Sequence, residues 1–470
     1  MKKIIAILLT LCIVLGLCAC GGTGNAGETT QPQAQGLQVG YARESIMPDG
    51  QVNMSGSGNQ EHRISTGYLD ILYATCTAFR DGDTTVLLYS TDALTAKWNW
   101  TNKARALISE ATGVPETHIQ IGATHSHSGP AVGGNEPLVQ EWMPIYMNAL
   151  VNSAKAAIAD LAPAKMYGKK VMTENQNFVR HYLMNDGTYS GSNFGDTSSG
   201  YKEHATEADR EMILIKLDRE GDKKDILMMN FQAHPCFVPG TELSADYIGE
   251  VRNIIEKETG MQFIYFLGAT GNHNATSKLP GEDAGKTKQA YGQSLAKWAL
   301  DVIDEINTPI EGTGIQCAEK VVTYPSNDYG QDRLADAQKV TAMFRADGDS
   351  SKATAYAKTL GFWSVYECNG IVQCAGLAPT GDLKMNVVRI GGLGFVAAPY
   401  EMFSNSSMYI KENAPNEFTL ISTVTNGYDN YIPSQAAYEY GCYESYTAKY
   451  ASGTAEKAAE EFVNMLKGIQ

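Results

Sequence analysis

The segment TTVLLYSTDAL (84–94), with WTNKARALISEATG (100–113) and HIQIGATHS (118–126) after it, decides the fold class of this chain. The first and third runs are short and apolar, bounded by polar turns, as buried strands are. The run between them repeats apolar residues at helical spacing and stops at Gly113, a residue that closes many helices. Strand, helix, strand is α/β grammar. It resumes with DILMMNFQAHP (225–235), DYIGEVRNIIEKETG (246–260) and QFIYFLGATG (262–271), while 137–161 has apolar residues at helical spacing. Further helices are expected near 333–347, 350–366 and 454–467, and strands at KMNVVRI (384–390), LGFVAAP (393–399) and FTLISTVT (418–425). Residues 183–203, dense in Gly, Ser, Asn and Asp, read as one long loop. No internal repeat or long linker divides the text, so the expectation is one large α/β domain over 38–470, with mixed β-sheets flanked by helices.

The first twenty residues, MKKIIAILLTLCIVLGLCAC, carry two lysines and an apolar run from Ile4 to Leu17 that is short for a membrane span, the pattern of an export signal. The LCAC stretch ending at Cys20 resembles the lipobox of bacterial lipoproteins, which implies that Cys20 is lipidated. Residues 1–20 would then be the signal peptide and 21–37, without apolar periodicity, a flexible tether. The expected location is extracytoplasmic, lipid-anchored to a bacterial membrane. A net charge of −15 without a Lys/Arg cluster argues against nucleic acid as a partner. Six of the nine cysteines lie beyond the expected signal, none in a CxxC pair, so nothing in their spacing resembles a structural zinc framework, and disulfide pairing stays open. Nothing in the sequence speaks to oligomeric state.

Eight histidines are present, and His125, His234 and His273 each fall within a few residues of the end of an apolar strand. The crevice outside the carboxyl ends of strands is where α/β sheets bind ligands, so residues far apart in sequence can meet there. His125 and His127, two apart, can address one pocket from an extended backbone. An isolated HxH pair is more often structural than metal-binding, and Asp246 is equally well explained as a helix cap.

THSHSGP (124–130), FVRHYLMNDGT (178–188), NFQAHP (230–235), LSADYIGE (243–250), FLGATGNHN (266–274), APYEMF (398–403) and NGYDNYIPSQAAYEYGCYE (426–444) together resemble the neutral, non-lysosomal ceramidase family in order and spacing. The resemblance spans roughly residues 38–465 and implies a zinc-dependent hydrolase acting on an amide bond of a lipid-like substrate. By motif it implies His125, His234, Glu401 and Tyr431 as zinc ligands. It further implies His127 as a non-ligand active-site histidine, Arg180 as the arginine near the substrate carbonyl, and Tyr443 as a further active-site tyrosine. For Tyr428, Tyr438 and Tyr440 aromatic packing is the simpler reading.

Two departures stand out. Where the family carries a Gly-Asp-x-Ser segment with a proposed serine nucleophile, this chain has Gly271, Asn272, His273 and Asn274. An asparagine amide cannot be activated by deprotonation, so the expected chemistry is direct attack by zinc-activated water, with His273 as a candidate proton donor. The resemblance runs out near residue 465, so the C-terminal β-sandwich-like domain of ceramidases is expected to be missing. Both departures bear on the substrate and leave the metal site intact. The rival is a non-catalytic surface lipoprotein that uses the fold to bind a lipid or glycan. A metallo-β-lactamase pattern fails, because the position two residues after the second histidine is Gly129.

Overall fold

The structure is a computed structural model that describes residues 36–57, 60–191, 194–328 and 331–469. The expected signal peptide with Cys20, and most of the expected tether, lie outside these residues. The longer strands are β1 (Gln38–Ser45), β2 (Tyr73–Asp81), β3 (Thr84–Thr91), β4 (Ile119–Ala123), β5 (Ala162–Met172), β6 (Glu211–Arg219), β7 (Ile226–Phe231) and β8 (Gln262–Leu267). They form one sheet in the order β8-β7-β6-β5-β1-β2-β3-β4. Its middle is antiparallel, and both edges close with a parallel pair, β3 with β4 and β7 with β8. A second sheet runs β9 (Ile315–Pro325), β10 (Thr380–Ile390), β11 (Leu393–Ala397), β12 (Phe418–Ser422), again ending in a parallel pair.

Parallel neighbours need a crossover, and each of the three has a helix in it. Helix α1 (Trp98–Thr112) links β3 to β4, α3 (Asp246–Thr259) links β7 to β8, and α8 (Ser404–Asn413) links β11 to β12. The strands read as near-continuous apolar runs because both their faces are covered. In β6, Ile213, Ile215 and Leu217 face the second sheet, packing with Val388, Ile390, Phe395 and Leu420. The alternate residues Met212 and Leu214 face α3 and α4 (Lys288–Leu300). Helix α2 (Pro137–Ala159) lays Trp142, Tyr146 and Leu150 on the outer face of β2 and β3. The C-terminal helix Thr454–Gly468 covers β10 with Phe462 and Leu466. The result is four layers, helix, sheet, sheet, helix, with the deepest apolar core between the sheets. There Phe266 meets Phe395 edge-on at 5.2 Å, and truncating such a ring costs about 3–5 kcal/mol.

Two expectations need correction. The stretch 183–203 is not one loop: His181–Met184, Tyr189–Gly191 and Tyr201–His204 pair into a small sheet. The Asp186-Gly187 turn, with Gly187 at φ +83°, starts its hairpin. The helix expected over 350–366 is two, α6 (Ser350–Thr359) and α7 (Val365–Cys374), broken where Gly361 takes φ +79°. With α5 (Leu334–Asp347) they form an insert between β9 and β10 with its own core around Val340, Phe362 and Cys368. The six cysteines among the described residues are free thiols. No helix among the described residues is long and apolar enough to cross a membrane.

Candidate metal centre

The parallel pairs point their carboxyl ends at one spot. His125 stands two residues beyond β4, His234 three beyond β7, Glu401 four beyond β11, and Tyr431 in the loop after β12. Residues from three crossover units therefore converge although just over 300 positions separate the first, His125, from the last, Tyr431.

Each imidazole is anchored by its outer nitrogen. Nδ1 of His125 lies 2.7 Å from the Leu94 carbonyl, Nδ1 of His127 2.6 Å from that of Gly56, and Nδ1 of His234 3.2 Å from that of Thr270. A carbonyl only accepts, so these contacts place the proton on Nδ1 and turn the Nε2 lone pair inward. The ligand atoms of the three histidines lie within 4.8 Å of one another. Nε2 of His127 is 2.9 Å from Nε2 of His234, and Oε2 of Glu401 is 3.4 Å from Nε2 of His125 and 4.0 Å from that of His234. Oε1 of Glu401 accepts the Tyr428 hydroxyl at 2.8 Å, whereas Oε2 is buried without a hydrogen-bond partner.

The electrostatics match this picture. Burial pushes His127 down to about 3 and His234 well below the ordinary imidazole range, so both are neutral near pH 7. Burial raises the Glu401 carboxyl, but His125 and Arg180 more than offset it, and the group stays ionised. Inward lone pairs on the neutral imidazoles of His127 and His234, packed beside a carboxylate oxygen without a hydrogen bond, are costly in a buried site unless a cation lies between them. Imidazole and carboxylate are the donors zinc takes, so the residues present fit the metal.

Arg180 borders the cluster. Its Nη1 is 3.4 Å from His234 Nδ1, and its Nη2 donates to the Gly271 carbonyl at 2.8 Å and reaches the Tyr431 hydroxyl at 3.4 Å. Burial alone lowers the guanidinium, but Glu444, Tyr431 and Glu401 outweigh it and keep the group charged. Tyr431 faces Glu401 directly across a two-residue parallel pairing, and burial followed by the Glu401 charge raises its phenol far above the ordinary value. Tyr443 packs its ring 5.8 Å from that of Tyr431.

The tetrad 271–274 is structural. Gly271 donates to the Met402 carbonyl, Asn272 exchanges two hydrogen bonds with Ser404, and Asn274 bridges His234. His273 is fully buried with Nδ1 on the Ala269 carbonyl at 2.5 Å and Nε2 accepting the Asp209 amide at 3.0 Å. Burial lowers it to about 4. Both nitrogens face backbone groups, Nδ1–H donating to the Ala269 carbonyl and Nε2 accepting from the Asp209 amide, an arrangement that weighs against the expectation of His273 as a proton donor to the leaving group. Asp246 does not cap α3 in the ordinary way. At φ +54° its carboxylate accepts the amides of Phe237, Val238 and Tyr247, clamping the loop after His234.

Three residues of the site escaped the sequence reading. Tyr428 orients Glu401, and Glu444 and His181 hold Arg180. The available signal was adjacency, since each is next to or within three residues of an expected site residue.

No family model and no curated protein matches the sequence. Several solved chains match the fold, two ceramidases among them. Neutral ceramidase from Pseudomonas aeruginosa is 16% identical over 92% of this chain and 74% of its own, with a TM-score of 0.67. A ceramidase complexed with C2 is 15% identical over 92% of this chain and 75% of its own, also at 0.67. This four-layer architecture is thus the fold of the neutral ceramidase structures.

Proposed function

We propose that the protein is a zinc-dependent hydrolase of an amide or ester bond in an N-acyl or lipid-like substrate, working outside the cell from a lipid anchor at Cys20. The observation that carries the proposal is the convergence of inward-facing imidazole nitrogens on a buried, partnerless Glu401 oxygen. His125, His234 and Glu401 would hold the metal, with Tyr431, side by side with Glu401, as the fourth ligand that the resemblance to ceramidases implies. When bound, zinc polarises a carbonyl and lowers the pKa of water to about 7.

The chain's own groups supply the rest. Arg180 is a fixed, charged donor within reach of a carbonyl oxygen presented to the cluster, suited to an oxyanion. His127 is neutral, with Nδ1–H held by Gly56, so its Nε2 accepts a proton or a hydrogen bond from the attacking group. The backbone-tied 271–274 segment offers no nucleophile, which favours water over an acyl-enzyme route. The same absence is the one observation favouring the rival, a binding protein that kept the fold.

The test is elemental analysis of the purified full chain in detergent beside a His125→Ala, His234→Ala double variant. Turnover is then measured on 4-nitrophenyl esters and 4-nitroanilides of short and long acyl chains. About one zinc per chain, absent from the double variant, together with turnover sensitive to chelation is expected. Zinc without turnover of any amide or ester would leave the binding protein standing, and no zinc after reconstitution would end the hydrolase reading.

A further inference from the structure

Behind Arg180 runs a line of buried groups that the metal centre does not use. Glu444, 1% exposed, takes Arg180 Nε on its Oε1 at 2.8 Å and Nη2 on the same oxygen at 2.5 Å. Its Oε2 lies 2.8 Å from Nε2 of His181, also 1% exposed, whose Nδ1 is 2.6 Å from the Tyr440 hydroxyl. Tyr440 stacks on the exposed Tyr189 at 4.6 Å.

A carboxylate only accepts, so His181 gives its Nε2–H to Glu444, and with a single proton on the ring its Nδ1 accepts the Tyr440 hydroxyl proton. Every hydrogen bond from Tyr440 to Glu444 points the same way, and Arg180 donates into the far oxygen. His181, Cys442 and Glu444 also place ligand atoms within 4.8 Å of one another. A cation there would meet the guanidinium already on Glu444, so that cluster is not a second metal site.

We propose that Glu444, oriented by the Tyr440–His181 pair, is the positioning residue that holds the Arg180 guanidinium at the rim of the histidine cluster. Arg180 has no other carboxylate partner among its hydrogen bonds and ion pairs. Without Glu444 its Nε and Nη2 lose their anchor, and the flexible side chain is free to leave the rim. Burial opposes the Glu444 charge, and Arg180 and His181 overcome it, holding the carboxyl well below its usual range. Removing Arg180 or Glu444 therefore leaves the other as an uncompensated buried charge. The inference rests on the functional reading only in so far as Arg180 meets substrate.

The probe is hexylphosphonate, an anion able to meet both the metal and Arg180, titrated calorimetrically into zinc-loaded full-length protein. Loss of a charge-assisted contact predicts binding about 10- to 100-fold weaker in Glu444→Gln at unchanged zinc content. His181→Gln, which keeps a donor toward Glu444, stays within about threefold of the wild type, whereas His181→Leu follows Glu444→Gln. A crystal structure of Glu444→Gln is expected to show the guanidinium displaced. Wild-type affinity in Glu444→Gln, or equal affinity in the two His181 variants, overturns the proposal. If Glu444→Gln does not fold, the His181 pair decides. If the zinc-loaded wild type binds no phosphonate, the functional reading fails at Arg180, and the position of the guanidinium in the variant crystal still judges Glu444.

Discussion

Gly271→Ala should damage the metal centre without touching a ligand side chain. A Cβ there would lie 2.6 Å from the Glu401 carbonyl oxygen, 2.8 Å from Phe403 Cδ1 and 2.9 Å from the Met402 carbonyl oxygen. Two of these are backbone atoms, which cannot rotate away, and ordinary contact needs roughly 0.5–1 Å more. The 401–402 strand must therefore retreat, stretching the 2.8 Å bond from the Gly271 amide to Met402 and carrying Glu401 outward. Overpacking of about 1–3 kcal/mol plus about 1 kcal/mol for the weakened hydrogen bond gives a loss of about 2–4 kcal/mol. Displacing the groups that orient a ligand typically costs 10- to 100-fold in metal affinity, and that is the expected rise in the zinc Kd. Competition with a chromophoric chelator measures the affinity, chemical denaturation of the chelated protein measures the stability, and Gly50→Ala, whose Cβ meets nothing within 4 Å, is the control. A variant destabilised as expected but binding zinc within about threefold of the wild type would refute Glu401 as a ligand, whatever else the site does.

Three shorter predictions follow from the same geometry. His273→Leu orphans the Asp209 amide and the Ala269 carbonyl, so denaturation should show a loss of about 2–5 kcal/mol with zinc content unchanged; loss of zinc would return His273 to the reactive site. Tyr431→Phe should weaken zinc binding more than His127→Leu does, and the opposite order in the chelator assay would make His127 the fourth ligand. Burial, only partly offset by three backbone amides, raises Asp246 to about 6, above its unfolded value. Its contribution is therefore fully present below the unfolded pKa and lost as pH rises through about 6. The wild type should lose about 2 kcal/mol relative to Asp246→Asn between pH 4 and pH 8, read from paired denaturation curves, and a flat difference would contradict it.

The fold was legible where periodicity is strong. The crossover units around β3, β7 and β11 announce themselves as apolar runs followed by helical spacing, because strands covered on both faces must be apolar throughout. The convergence of His125 and His234 was legible from their places just past strand ends. Composition misled at 183–203, where Gly and Asn mark turns between short strands as readily as a loop. His273 is ambiguous for a related reason: a histidine after a strand end has the same sequence signature whether it meets a ligand or the backbone. Only the Asp209 amide, 64 positions away, tells them apart.

Backbone strain locates the site independently of any motif. Among the described residues, six other than glycine have positive φ, and four belong to this centre or the loop after β12: His125 at +63°, Val424 at +50°, Asn426 at +59° and Asn430 at +57°. Such conformations cost of order 1–3 kcal/mol each, most for a β-branched residue like Val424, and persist only where surroundings over-determine them. Here they do. Asn426 exchanges hydrogen bonds with the Ile121 backbone and donates to Ile119 and Gln120, and the Ala123 amide donates to the Val424 carbonyl. The loop after β12 is thereby stitched to β4, the strand that leads into His125, so Tyr428 and Tyr431 are delivered to the same rim as the histidines. Asp246, at +54°, clamps the loop after His234 in the same manner. Strain placed on the loops of two sheets and held by side-chain bonds between them is what a site assembled before its ligand arrives requires. A loop free to relax would have no reason to keep Val424 in that conformation.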